Sequence, residues 1–220
     1  MAAALFRKVQ NMRLGWANRI TIVRILLIPV FVIFMLKINH HDPSFAKSMR
    51  YAALVTFLFM VASDILDGYV ARKNRQITSL GSFLDPMADK LLMTCACLLL
   101  ASGRTAVKGF ELPPTVVVLI IGKDFFLMLG FTIVFLMTAQ ARIVPVVVGK
   151  LACTLQLSMV AAILLAPEFS TVLPGWIWLL RTLWWSAAAT AILATIIYIR
   201  NGNRYIEEFE EQTTGIGHNC

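Results

Sequence analysis

A chain of 220 residues that is 59% hydrophobic and only 15% charged departs from a soluble domain, where about half the residues are apolar and about a quarter charged. The bilayer is the expected solvent, and there is no room for a separate soluble domain. A formal charge of +8 and a pI near 9.6 would suit nucleic acid. Lys and Arg, however, are scattered at the ends of apolar stretches and form no patch, so lipid headgroups and no nucleic acid are the expected partners.

The first 17 residues lack the long apolar core and cleavage site of a signal peptide. Leu5, Val9, Met12 and Trp16 form a helical stripe opposite Arg7, Lys8 and Arg13, which predicts an interfacial amphipathic helix. Six segments then reach the roughly 20 apolar residues needed to cross about 30 Å of hydrocarbon: 20–37, 51–73, 84–103, 114–138, 146–167 and 176–199. The expectation is an all-α integral membrane protein with six transmembrane helices, divided as an interfacial helix 1–17, a six-helix domain 18–200 and a tail 201–220. Breakers mark the connections: His41-Asp42-Pro43-Ser44, Leu112-Pro113-Pro114 and Pro174-Gly175.

Topology follows from the short-loop cations. With a cytoplasmic N-terminus, the inside collects Arg7, Lys8, Arg13, Arg19, Arg72, Lys73, Arg75, Arg142, Arg200 and Arg204, against Lys37, Lys47, Arg50, Arg104, Lys108 and Arg181 outside. Both termini are then cytoplasmic. Trp176, Trp178, Trp184 and Trp185 fall where an aromatic belt or lipid-facing packing would put them. Cys95, Cys97, Cys153 and Cys220 have neither zinc nor disulfide spacing and read as buried or free thiols. The acidic run Glu207-Glu208-Phe209-Glu210-Glu211 predicts a solvated tail.

Nine ionisable residues stand within or at the edges of the apolar segments: Arg24, Asp64, Asp67, Asp85, Asp89, Lys90, Lys123, Asp124 and Lys150. A charge at a span centre costs about 2.5–3.5 kcal/mol even on the lenient insertion scale, so such residues need partners or a function. Asp64 and Asp67 are three apart, on one helix face near the cytoplasmic end of the second span. Asp85 and Asp89 are four apart at the start of the third, and the short connection lets all four carboxylates meet in one pocket. Their mutual repulsion calls for cations, and hard oxygen donors suit Mg²⁺ or Mn²⁺. Two such ions bridging a pyrophosphate would neutralise charge during phosphoryl transfer. Gly68 gives a ligand access to the backbone, while Arg72, with Lys73 and Arg75, offers phosphate donors.

Written out, Asp64-x2-Asp67-Gly68-x2-Ala71-Arg72-x8-Gly81-x3-Asp85-x3-Asp89 resembles the signature of the CDP-alcohol phosphatidyltransferase family at every fixed position. Two flanking motifs resemble its bacterial glycerophospholipid branch: Asn18-x2-Thr21-x2-Arg24 and Gly149-Lys150-x3-Thr154-x-Gln156. For Thr154 and Gln156, interhelical hydrogen bonding is the structural alternative. The resemblance implies that Asp64, Asp67 and Asp85 are the core metal ligands, and that Asp89 is the general base and can also touch metal. It further implies that Asn18, Thr21, Gly68, Ala71, Arg72 and Gly81 line the CDP site, and that Arg24, Lys123, Asp124 and Lys150 serve the acceptor. The implied reaction transfers phosphatidyl from CDP-diacylglycerol to an alcohol and releases CMP. A homodimer in the bacterial inner membrane, with its site on the cytoplasmic side, is implied as well.

For the acceptor, phosphatidylglycerophosphate synthases of this branch carry an Arg-Glu pair in the fourth span and a second one to two turns later. Here the first becomes Lys123-Asp124, and Phe131-Thr132 stand in place of the second. The loss of a dianion clamp favours phosphatidylglycerol as acceptor, giving cardiolipin; the alternative is glycerol 3-phosphate. Intramembrane carboxylates also mark cation transporters. A transporter site belongs near the midplane between repeated halves, and no repeat is visible.

Overall fold

The computed structural model describes residues 16–74, 79–138 and 147–215, with side chains described over 21–66, 87–130, 132 and 148–200. The predicted interfacial helix, apart from its last two residues, lies outside them. So do Arg75, Arg142 and Cys220. Within the described residues the chain is helical: α1 Trp16–Leu36, α2 Pro43–Asn74, α3 Ser79–Ala101, α4 Pro114–Thr138, α5 Val147–Leu164, α6 Ala166–Val172 and α7 Trp176–Gly215.

Local chemistry explains where the helices differ from expectation. α2 starts eight residues before the predicted span because Asp42 caps it: the Ser44 N–H donates to Asp42 Oδ1 at 3.0 Å, and Pro43 takes the first helical position. Lys47 and Arg50, placed outside from the sequence, are therefore helical. The fifth predicted span breaks after Leu164, where Pro167 opens the short helix α6 at a 73° bend. Gly109, at φ +82°, turns the connection between α3 and α4. α7 does not stop at Ile199 but continues to Gly215, since no proline interrupts Trp176–Gly215.

Among the described residues, Pro43–Leu66 and Trp176–Arg200 are long and apolar enough to cross a membrane, and the bent pair Val148–Leu164 with Ala166–Val172 makes a third if it is one span. Thr21–Leu36 is a shorter apolar helix. Six spans were expected from the sequence. The side chains of α3 are described only from Met87 and those of α4 continuously only to Gly130, which leaves both segments shorter than a span.

The chain divides into two units, Met1–Cys95 and Ala96–Cys220. In the first, α1 buries Thr21, Arg24, Ile28, Phe31 and Met35, a stripe at spacings of three and four. α2 packs on α1 and buries Ala53, Leu54, Phe57 and Met60. The rings of Phe31 and Phe57 meet with centroids 6.0 Å apart. The opposite faces expose Leu26, Ile33, Val55 and Phe59, as suits a lipid solvent.

In the second unit α7 packs on both α4 and α5 through Leu180, Trp184, Ala187, Ala188, Ala191 and Ala194. The alanines let the helix backbones approach closely. A Cβ added at Gly149 would collide with the Tyr198 hydroxyl, so α5 and α7 approach closely at this glycine. The four tryptophans divide: Trp184 is core, Trp178 and Trp185 are exposed, and Trp176 stacks on Phe169 at 4.7 Å.

Candidate active site

The buried stripe of α1 ends in a charge. Arg24, 1% exposed, places Nη1 at 2.7 Å from Oδ1 of Asp64, whose carboxylate is 44% exposed. Asp64 lies one turn beyond Met60 on the buried stripe of α2, so Arg24 meets it as Phe31 meets Phe57. From Arg24 to Phe31 is seven residues, and from Phe57 to Asp64 is also seven. The two contacts are thus two helical turns apart on antiparallel partners, and the aromatic packing sets the register of the ion pair.

Asp67 follows Asp64 by almost one turn on α2. Asp85 and Asp89 lie on α3. Asp67 is seven residues from the end of α2 and Asp85 six from the start of α3, so each stands about 10 Å inside its helix end. Asp89 is 30% exposed and has the Lys90 ammonium 3.7 Å from its Oδ2, a loose pairing. Lys90 is the one intramembrane charge to which the sequence assigned no role. The side chains of Asp67 and Asp85, like those of Asn18, Ala71 and Arg72, lie outside the described ones, as do the surroundings of Gly68 and Gly81. Among the described residues no group of three or more potential ligands forms. The donors that are described, the partly exposed carboxylates of Asp64 and Asp89, fit a hard divalent cation. Thr21, expected at the CDP site, is fully buried one turn before Arg24.

The residues expected to serve the acceptor are separated by burial. Lys123 and Asp124 continue the buried stripe of α4 after Val116 and Ile120. Lys123 Nζ is 2.8 Å from Asp124 Oδ1, with the side chains 2% and 4% exposed. The same ammonium donates to Gln156 Oε1 on α5 at 3.4 Å. The interhelical alternative thus describes Gln156. Thr154 instead turns its hydroxyl back to the Lys150 carbonyl at 3.0 Å within its own helix. Lys150 is exposed. Sequence spacing did not reveal the Arg24–Asp64 contact, although Arg24 continues the stripe that ends in it.

A profile described as CDP-alcohol phosphatidyltransferase matches residues 14–198. The chain belongs to this family. It is 34% identical over 154 residues to the CDP-diacylglycerol–glycerol-3-phosphate 3-phosphatidyltransferase of Bacillus subtilis, covering 67% of this chain and 75% of that protein. The protein of the same name from Aquifex aeolicus is 31% identical, over 60% of this chain and 66% of its own length. The one from Pseudomonas fluorescens is 45% identical over a shorter stretch, 38% of this chain and 39% of the relative. The protein is therefore an enzyme that transfers a phosphatidyl group from CDP-diacylglycerol, a membrane transferase of phospholipid synthesis.

Proposed function

We propose that this transferase uses glycerol 3-phosphate as acceptor, making phosphatidylglycerophosphate and CMP. Its support is that the relatives from Bacillus subtilis, Aquifex aeolicus and Pseudomonas fluorescens are all named for that acceptor. It takes the alternative in preference to the cardiolipin expectation, which rested on Lys123-Asp124 in place of the first charge pair and Phe131-Thr132 in place of the second. Similarity extending over two thirds of the chain outweighs the loss of one charge pair. Thr132 also spends its hydroxyl on the Met128 carbonyl of its own helix, at 2.8 Å, so this position says little about any acceptor.

In the proposed mechanism Asp64, Asp67 and Asp85 hold divalent metal, Mg²⁺ or Mn²⁺, which when bound neutralises charge on the pyrophosphate. Asp67 and Asp85 stand at similar distances from the C-terminal end of α2 and the N-terminal end of α3, which supports a shared pocket for the two aspartate pairs. Asp89 accepts the proton of the acceptor hydroxyl. That oxygen bonds to the β-phosphorus of CDP-diacylglycerol as the bond to the CMP oxygen breaks. Arg72 and the backbone at Gly68 and Gly81 orient the nucleotide. The site faces the cytoplasm, with both termini on that side. Purified enzyme given CDP-diacylglycerol is expected to release CMP when glycerol 3-phosphate is added. Release with phosphatidylglycerol and none with glycerol 3-phosphate would restore the cardiolipin reading.

A further inference from the structure

We infer that Arg24 is a positioning residue for Asp64, holding this carboxylate in the orientation in which it receives metal. The inference rests on the proposed ligand role of Asp64. It moves Arg24 from the acceptor side, where the sequence placed it, to the support of the metal site.

Burial carries the first part of the argument. A guanidinium 1% exposed has left the solvent almost completely, and a buried charge persists in a packed helix pair only where a countercharge compensates it. Asp64 supplies one at 2.7 Å. The asymmetry of the pair carries the second part. Asp64 is held by Arg24 on the packed side, yet its carboxylate is 44% exposed. An aspartate fixed from beneath and open above is arranged as a metal ligand with a supporting partner. An unsupported carboxylate at the same exposure would sample several rotamers and lose that freedom only on binding metal.

Register is the third part. The Phe31–Phe57 contact two turns away fixes how α1 and α2 slide on each other, so the guanidinium meets Asp64 at one set height. Thr21 and Ile28, both buried on the same stripe, hold the α1 backbone on either side of Arg24.

The test uses the full chain in detergent micelles, as Arg24→Met, Arg24→Lys, Asp64→Asn and the double variant Arg24→Met/Asp64→Asn. Mn²⁺ binding is read by electron paramagnetic resonance, and the KM for glycerol 3-phosphate is measured alongside. Arg24→Met is expected to weaken Mn²⁺ binding about 10- to 100-fold, the usual effect of losing a partner that orients a ligand. Arg24→Lys should fall between it and wild type. The double variant should match Asp64→Asn, since the inferred effect of Arg24 on metal runs through that carboxylate. Equal or tighter Mn²⁺ binding by Arg24→Met would overturn the inference, as would a raised KM for glycerol 3-phosphate with metal affinity unchanged. If Asp64→Asn itself binds Mn²⁺ normally, the ligand role of Asp64 fails and the inference falls with it, a result distinct from failure of the arginine arms alone. Should Arg24→Met not fold, Arg24→Lys decides: Mn²⁺ affinity identical to wild type counts against the inference.

Discussion

Each aspartate of the signature has its own expected phenotype. With Asp89 as general base, Asp89→Asn is expected to cut turnover by about 10²- to 10⁴-fold, the range of general-base catalysis, while most Mn²⁺ binding remains. Steady-state CMP release together with a metal titration checks this, and near-normal turnover would refute the assignment. The four carboxylates are legible in the sequence because charges in apolar segments stand out and because their spacings of three and four each select one helix face. The partner of Asp64 is not legible. Spacing places Arg24 near the site, but which carboxylate it meets depends on how α1 and α2 are registered, and a contact two turns away decides that.

The buried pair of Lys123 and Asp124 lies within α4 and reaches α5 through one hydrogen bond, from Lys123 to Gln156. Removing one partner from such a pair leaves the other charge in the core without compensation, at a cost of about 3–5 kcal/mol. Lys123→Met is therefore expected to lower thermal stability strongly in detergent, and Lys123→Met/Asp124→Leu to recover most of the loss. Equal destabilisation by the single and double variants would mean that the pair does not act as a unit. Gly149→Ala is expected to cost about 1–3 kcal/mol by driving a methyl group into the Tyr198 hydroxyl, with part regained in Gly149→Ala/Tyr198→Phe, both read as shifts in Tm. Among the described residues the existence of the long helices is legible, because runs of about 20 apolar residues have no other stable form in lipid. Helix ends are less so. The Asp42 cap lengthens α2, and the uninterrupted C-terminal stretch lets α7 run on to Gly215. Hydropathy registers neither, since both concern the backbone.

At the scale of the molecule, the composition already names the solvent, and the 26 residues from Asp64 to Asp89 name the reaction class. The acceptor is the least legible feature. Choosing between a small phosphomonoester and a lipid phosphodiester depends on side chains from several helices, whereas a missing charge pair reports on one turn of one helix. The most direct measurement supplies purified enzyme in mixed micelles with CDP-diacylglycerol, Mg²⁺ and ¹³C₃-labelled glycerol 3-phosphate in competition with phosphatidylglycerol, and identifies the lipid product by mass. The expected result is phosphatidylglycerophosphate carrying the full label, formed with an equal amount of CMP and lost when EDTA removes the metal. Unlabelled cardiolipin as the sole product would contradict it.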